Sequence, residues 1–495
     1  MMNRRFLIAI SLLLALASAL QAEEPLRLRS CQPFSPKKGV PTRHLVSKRA
    51  ADTGNRFIGQ RRQLVVLAAF EDQKFLDADE QTTLEKWDRI FNEVNFREAP
   101  YCGSVHDYFM DQSYGQFDVT FDLQYVALAD SGNNEGWLFR YRSTREDDEN
   151  SKYLIADLMK VLRQRDLDWS SYDWDGDGYV DQLLIVYAGK GQNDGGGTST
   201  IWPHQYRLSW HVDSEPIAVG YGGKDYLVDN YCCVQEQGVA NNSFGTICHE
   251  YSHCFGFSDF YYDNYSFIGG WDLMDYGNVN GNGYCPCGYS AWERFFMGWL
   301  HPTVLGSPTT VTSLEPLHSK PQAYQVINDG YEQEYYIVEH RQKQGWDAYL
   351  PGSGILVFHI DYADEYFINS VPNTTYHQRY SIFPACNFSI VTFADRWAYP
   401  YAGRNELTNT SLPAATLFHP NTDGQMLMSK PITQMAVNGV QASFVFMNDS
   451  TTAVQPVPSA AASQPASVLY RLGPVSVVRM ADGSVRKLIK ECPKL

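Results

Sequence analysis

Apolar residues recur along the chain in two rhythms. Gln63–Phe70 (QLVVLAAF) is a nearly unbroken apolar run of strand length, the pattern of a strand buried on both faces. Residues 79–94 carry Leu84, Trp87, Ile90 and Phe91 at helical spacing, which predicts a helix with one buried stripe. A short helix from Ser104 leads into a strand at Phe117–Val126, and residues 151–165 read as a further helix. Val180–Ala188 (VDQLLIVYA) reads as a buried strand, and the stretches 200–204 and 226–236 read as sheet edges. From residue 301 the runs shorten: TTVTSL, QAYQVIND, EYYIVEHR, GILVFHID and VQASFVFM alternate between Gly, Pro and Asn breaks. The pattern predicts an α+β chain, with a sheet-and-helix domain over 59–300 and a β-rich accessory domain, sandwich-like, over 301–450.

The ends are compositionally different. Residues 1–22 have a basic start, an apolar core and small residues before Glu23, the layout of a secretory signal peptide. Residues 23–58, Pro-, Lys- and Arg-rich with a dibasic Lys48-Arg49, read as a propeptide or a basic arm. A Ser/Thr/Ala/Pro-rich linker follows at 451–468, then a tail at 469–495. The tail resembles C-terminal sorting signals of Bacteroidetes-type secretion, and a plain β-hairpin fits it equally. No later run is long enough to span a bilayer. The expectation is an exported protein, free in the medium or at a Gram-negative cell surface, and monomeric.

Charge sharpens this picture. Residues 63–450 hold 22 Lys/Arg against 51 Asp/Glu, a net of −29, whereas residues 1–62 hold 12 against 3. So acidic a body disfavours nucleic acid and anionic membrane as partners, and a basic arm could lie against it. Ten cysteines in 495 residues are too few for a disulfide scaffold, although export permits bridges. Cys31, in the arm, could cap a metal as a thiolate; a structural disulfide or free thiol is the plainer reading.

The chemistry concentrates at 244–259, FGTICHEYSHCFGFSD. On a helix, residues four apart share a face, so His249 and His253 aim two imidazoles at one point, as a tetrahedral zinc requires. Glu250 sits one position round, better placed to hold a water than to bind metal. Gly256 can end the helix at positive φ and bring Asp259 back as third ligand, leaving the fourth position open. Beyond it, Met274 in a Gly-rich turn offers a soft apolar floor, and the Tyr276 hydroxyl could donate to an oxyanion. A second acidic motif runs through Asp173, Asp175, Asp177, the Tyr179 carbonyl and Asp181, following a calcium loop at positions one, three, five, seven and nine. Its twelfth position is Leu184 rather than Glu, so structural calcium and a solvated acidic turn both stay open. The Gly-rich run 190–200 lacks the Lys-Ser/Thr ending of a phosphate loop.

Taken together, GSVHDYFMDQSYGQF, YDWDGDGYVDQLLIVYAG, IWPH, ICHEYSHCFGFSDFY, WDLMDYG, YSAWERFFMGWL and EYYIVEHRQKQGWDAYLPGSGILVFHID resemble the immune inhibitor A-type family of secreted bacterial metallopeptidases, related to the metzincins. The resemblance covers residues 59 to about 450. It implies a metzincin-like zinc peptidase domain with a twisted sheet and an active-site helix, made as a zymogen and acting on protein or peptide substrates. It also implies one catalytic zinc at His249, His253 and Asp259, Glu250 as general base, and bound calcium. Asp259 departs from the third histidine of many metzincins. With it the site keeps a formal charge of about +1 instead of +2, acidifies its water less and leaves more to Glu250.

Two alternatives stand beside that reading. Glu293, on the helix SAWERFF, could replace Asp259 in a thermolysin-like site. A non-catalytic adhesin or binding protein could keep zinc and calcium for structure alone. The second would need a fourth protein ligand, and Cys248 and Cys254 lie off the histidine face.

Overall fold

The computed structural model describes residues 56–129, 141, 148, 150–197, 200–237, 243–263, 265–368, 370–447, 465–472, 475–480 and 485–489. The expected signal peptide, most of the basic arm with Cys31, and most of the linker lie outside these residues.

Strand β1 (Gly59–Phe70) is buried throughout its last eight residues, as its apolar run demands. The one polar residue there, Gln63, is satisfied by donating to the carbonyls of Leu64 (2.8 Å) and Gln182 (3.0 Å). Helix α1 (Glu80–Asn92) starts at Asp79, whose carboxylate accepts from the Thr82 N–H, and buries Trp87, Ile90 and Phe91. Helix α2 (Val105–Gln112) starts at Ser104 in the same way. Then follow β2 (Phe117–Leu128), α3 (Ser151–Leu162), β3 (Tyr179–Val180), β4 (Leu183–Lys190), β5 (His204–Arg207), β6 (Ile217–Tyr221), β7 (Lys224–Val228) and β8 (Asn230–Gln237).

The main sheet has the order β2-β1-β4-β8-β5, with β5 antiparallel to β8 and every other pair parallel. The short β3 joins β7 and β6 in a separate sheet. Two expectations are corrected here. The run 180–188 is not one strand: the Asp181 N–H goes to Tyr172 O and its carbonyl accepts from the Asn230 side chain, so its backbone leaves the ladder. Nor is 226–236 an edge, because β8 lies between β4 and β5. Its polar end is tolerated because the Glu236 carboxylate accepts from the backbone N–H groups of Leu76 (2.7 Å) and Gly189 (3.1 Å).

Beyond β8 come α4 (Ser243–His253), α5 (Ala291–Phe296), β9 (Thr303–Val304), β10 (Thr309–Leu314), β11 (Tyr324–Ile327), β12 (Glu334–Arg341), β13 (Gly354–Asp361), the one-turn α6 (Asp364–Phe367), β14 (Tyr380–Ile382), β15 (Ile432–Asn438) and β16 (Gln441–Phe446). They build a five-stranded sheet, β14-β13-β12-β11-β9, and a three-stranded one, β10-β16-β15. Alternation along the five-stranded sheet serves two interiors. Tyr335, Ile337, Leu356, Phe358 and Ile360 join the core that contains β1 and α4. Tyr336, Val338, Ile355 and Val357 join a second core with Leu314, Phe444 and Phe446. A disulfide links Cys102 to Cys285. In the tail, Pro465–Leu472, Val475–Met480 and Val485–Ile489 form three antiparallel strands, one more than a hairpin. The chain is thus a mixed α/β protein with several sheets.

Candidate metal centre

Phe244, Ile247, Cys248 and Tyr251 recur at helical spacing and are all buried, which is why this stretch is a helix and which face it hides. α4 packs on β8 and β5. Its second turn-side neighbour is the chain after Met274, and only a glycine permits the approach: a Cβ on Gly245 would sit 1.9 Å from Asn278 O. His249 and His253 share another face, their ring centroids 4.9 Å apart and their planes nearly perpendicular. The helix stops at His253. Gly256, at φ +99°, turns the chain, and the Phe260 N–H on Met274 O (2.9 Å) fixes the returning segment.

This return brings Asp259 Oδ1 to 3.2 Å from His249 Nε2 and 3.3 Å from His253 Nε2. Each imidazole donates its Nδ1–H to a backbone carbonyl, His249 to Leu273 O and His253 to Phe257 O, both at 2.8 Å. That tautomer turns both Nε2 lone pairs toward the carboxylate. Neither His253 Nε2 nor Asp259 Oδ1 makes a well-directed hydrogen bond, although both are buried. Three lone-pair donors facing one another repel unless a proton or a metal cation stands between them. Tetrahedral zinc ligands at about 2.0–2.1 Å from the ion lie about 3.3–3.4 Å apart, so the spacing fits that ion.

Electrostatics agree. Burial alone disfavours charge on all three groups. Asp259 overrides it at His253, whose pKa rises to about 9, and His249 also moves up. Burial likewise pushes Asp259 up, but the imidazoles outweigh it and hold the carboxyl at about 2. A metal bound here would therefore displace at least one proton at neutral pH. Below His253's raised pKa the proton would compete, so affinity for zinc would fall as pH falls; the expected rise is about tenfold per unit between pH 7 and 8, read by chelator competition.

Glu250 is buried on α4 beside His249. Met274 is wholly buried, and its turn is held by the Asp275 carboxylate, which accepts from Phe267, Ile268 and Gly269 N–H groups at 2.7–3.1 Å. Tyr276 is half-buried at the start of the next turn, with its N–H on Gly269 O. Burial, then Asp275, raises its pKa, so the phenol keeps its proton at neutral pH. Glu293 is elsewhere: its carboxylate accepts from Ser290 N–H (2.6 Å) and caps its own helix.

At the acidic loop, Asp173, Asp175 and Asp177 bring carboxylate oxygens within 4.8 Å of one another. Asp173 also accepts from the N–H groups of Gly176, Asp177 and Gly178, and Tyr179 N–H donates to Asp177. Asp181 is engaged differently. The Arg56 guanidinium lies 3.2 Å from it and 3.0 Å from Asp175, a cation that the sequence pattern did not disclose. Sequence reasoning also missed the Leu273 and Phe257 carbonyls, since main-chain acceptors leave no residue-type signal.

The comparisons with known proteins follow the same stretch. Residues 58–300 match the family model for the immune inhibitor A peptidase M6 catalytic domain. Immune inhibitor A of Bacillus thuringiensis is 31% identical over 173 residues, covering 29% of this chain and 24% of that protein. Pre-pro-metalloprotease PrtV of Vibrio cholerae is 24% identical over 294 residues, covering 48% of this chain and 30% of that protein. The matched segments thus span less than a third of either relative's length. Over residues 58–300, just under half of its length, the chain is similar to the immune inhibitor A peptidase M6 catalytic domain.

Proposed function

We propose that the protein is a zinc-dependent metalloendopeptidase of metzincin-like build, with His249, His253 and Asp259 as metal ligands. The observation that carries this is the convergence of Asp259 Oδ1 on both Nε2 atoms, with Glu250 at the adjoining helical position. Zinc bound there would acidify a coordinated water and polarise a carbonyl. Glu250 accepts the proton from the attacking water and returns it to the leaving amine. Tyr276, protonated, is the candidate donor to the developing oxyanion. β5, the outer strand of the main sheet beside α4, is where an extended substrate backbone would pair.

A closed structural zinc would need a fourth protein ligand, and the group among the described residues has three. That favours catalysis over an adhesin. Calcium is proposed at Asp173, Asp175 and Asp177 with the Tyr179 carbonyl. There Arg56 already offsets part of the charge on Asp175 and Asp181. Export is proposed from residues 1–22; the Cys102–Cys285 disulfide supports it, because such bonds persist in oxidising compartments. Among the described residues, no helix is long and apolar enough to cross a membrane.

The test is casein digestion by the mature protein. Cleavage should stop with a zinc chelator and return on adding zinc. Cleavage indifferent to chelation, or none from a zinc-loaded, folded sample, rejects the proposal.

A further inference from the structure

The proposed centre is held partly from beyond the family match, by the connection between β13 and β14. Tyr380, the first residue of β14, is wholly buried. Its hydroxyl lies 2.7 Å from Asp272 Oδ2 and 2.8 Å from Ser290 Oγ; one proton can serve one acceptor, and the carboxylate is the stronger. Its ring stacks on Phe260, with centroids 4.0 Å apart and planes 23° apart. Asn373, also wholly buried, donates to Phe260 O (2.9 Å) and Tyr380 O (2.7 Å) and accepts from Tyr380 N–H (2.9 Å). Both amide protons and the oxygen are thus used.

These contacts close a ring around the ligands. Asp272 Oδ1 accepts from Met274 N–H (2.9 Å). Between them stands Leu273, whose carbonyl orients His249. Met274 O accepts from Phe260 N–H, and Phe260 follows Asp259 directly. From Phe260 the path returns through Asn373 and Tyr380 to Asp272. Segments 257–260 and 272–274 are loops, so neither fixes a ligand within the tolerance that a metal site needs. Anchoring both to one strand of a packed sheet does.

We propose that Tyr380 and Asn373 are positioning residues of the metal centre: Tyr380 steadies the turn that orients His249, and both steady the segment that presents Asp259. This rests on the metal-site reading given above.

The test uses the full chain. Tyr380→Phe removes one oxygen. Against a chromophoric chelator, it should bind a single zinc about 10–100-fold more weakly than wild type, the range for outer-shell partners. With cobalt in place of zinc, its visible spectrum should shift, reporting a displaced ligand. Tyr336→Phe is the control. It removes an equally buried hydroxyl from the same sheet, one that donates to Thr416 O (2.7 Å) and faces the second core. It should lower the melting temperature yet keep wild-type zinc affinity within about twofold. Equal affinity and equal cobalt spectra in Tyr380→Phe and wild type, both folded, overturn the proposal while leaving the metal site standing. If Tyr380→Phe does not fold, Asn373→Ser, which withdraws both donors, is judged by the same criteria. A folded wild type that takes up no zinc overturns the metal site and this inference with it.

Discussion

Replacing Glu250 with glutamine is expected to leave zinc in place and to lower peptide hydrolysis by about 10²–10⁴-fold, the usual worth of a positioned general base. The two side chains have the same shape, so α4 and its packing on β8 are undisturbed. The three groups that converge at 3.2–3.3 Å are untouched, and metal content should match wild type. What changes is the capacity to take a proton, which an amide lacks at neutral pH. The loss should fall on kcat, measured with a quenched-fluorescent peptide beside metal analysis of the same sample. Wild-type turnover by Glu250→Gln removes Glu250 from the mechanism and requires another base.

The second large effect is at Asp259. Asp259→Ala should lower zinc affinity by more than about a hundredfold, beyond the range for outer-shell partners. Two losses would combine: one of the three proposed ligands, and the negative charge it brings to the ion. The bonds from Nδ1 to Leu273 O and Phe257 O would still orient both rings. Glu293→Ala is the matched comparison. Its carboxylate is committed to Ser290 N–H at the start of α5, so its loss should lower stability by about 1 kcal/mol, as for a helix cap, without affecting zinc stoichiometry. The opposite pattern, with zinc lost from Glu293→Ala and kept by Asp259→Ala, would restore the thermolysin-like arrangement.

What could be read from the sequence was what is local. The 63–70 run, the spacing of Trp87, Ile90 and Phe91, and the four-residue interval between the histidines each lie within one element. Gly256 made the return of Asp259 legible because a positive φ at a helix end is a single-residue requirement. Interior strand β8 read as an edge, and the backbone N–H groups that satisfy its Glu236, those of Leu76 and Gly189, are far away in the chain. The same distance hid Arg56 beside the acidic loop and Tyr380 beside Asp272, 108 residues apart. Pairings of that kind depend on the fold, and no spacing rule announces them.

The five-stranded sheet has one last consequence. Since its strands lend alternate residues to two interiors, the polypeptide offers no seam at residue 300 where a saw could pass cleanly. A fragment stopping there would keep Trp292 and Phe296 but lose Tyr335, Phe358 and Tyr380, leaving a greasy flank open to solvent. Such a fragment should clump with its own kind rather than behave as a miniature of the parent.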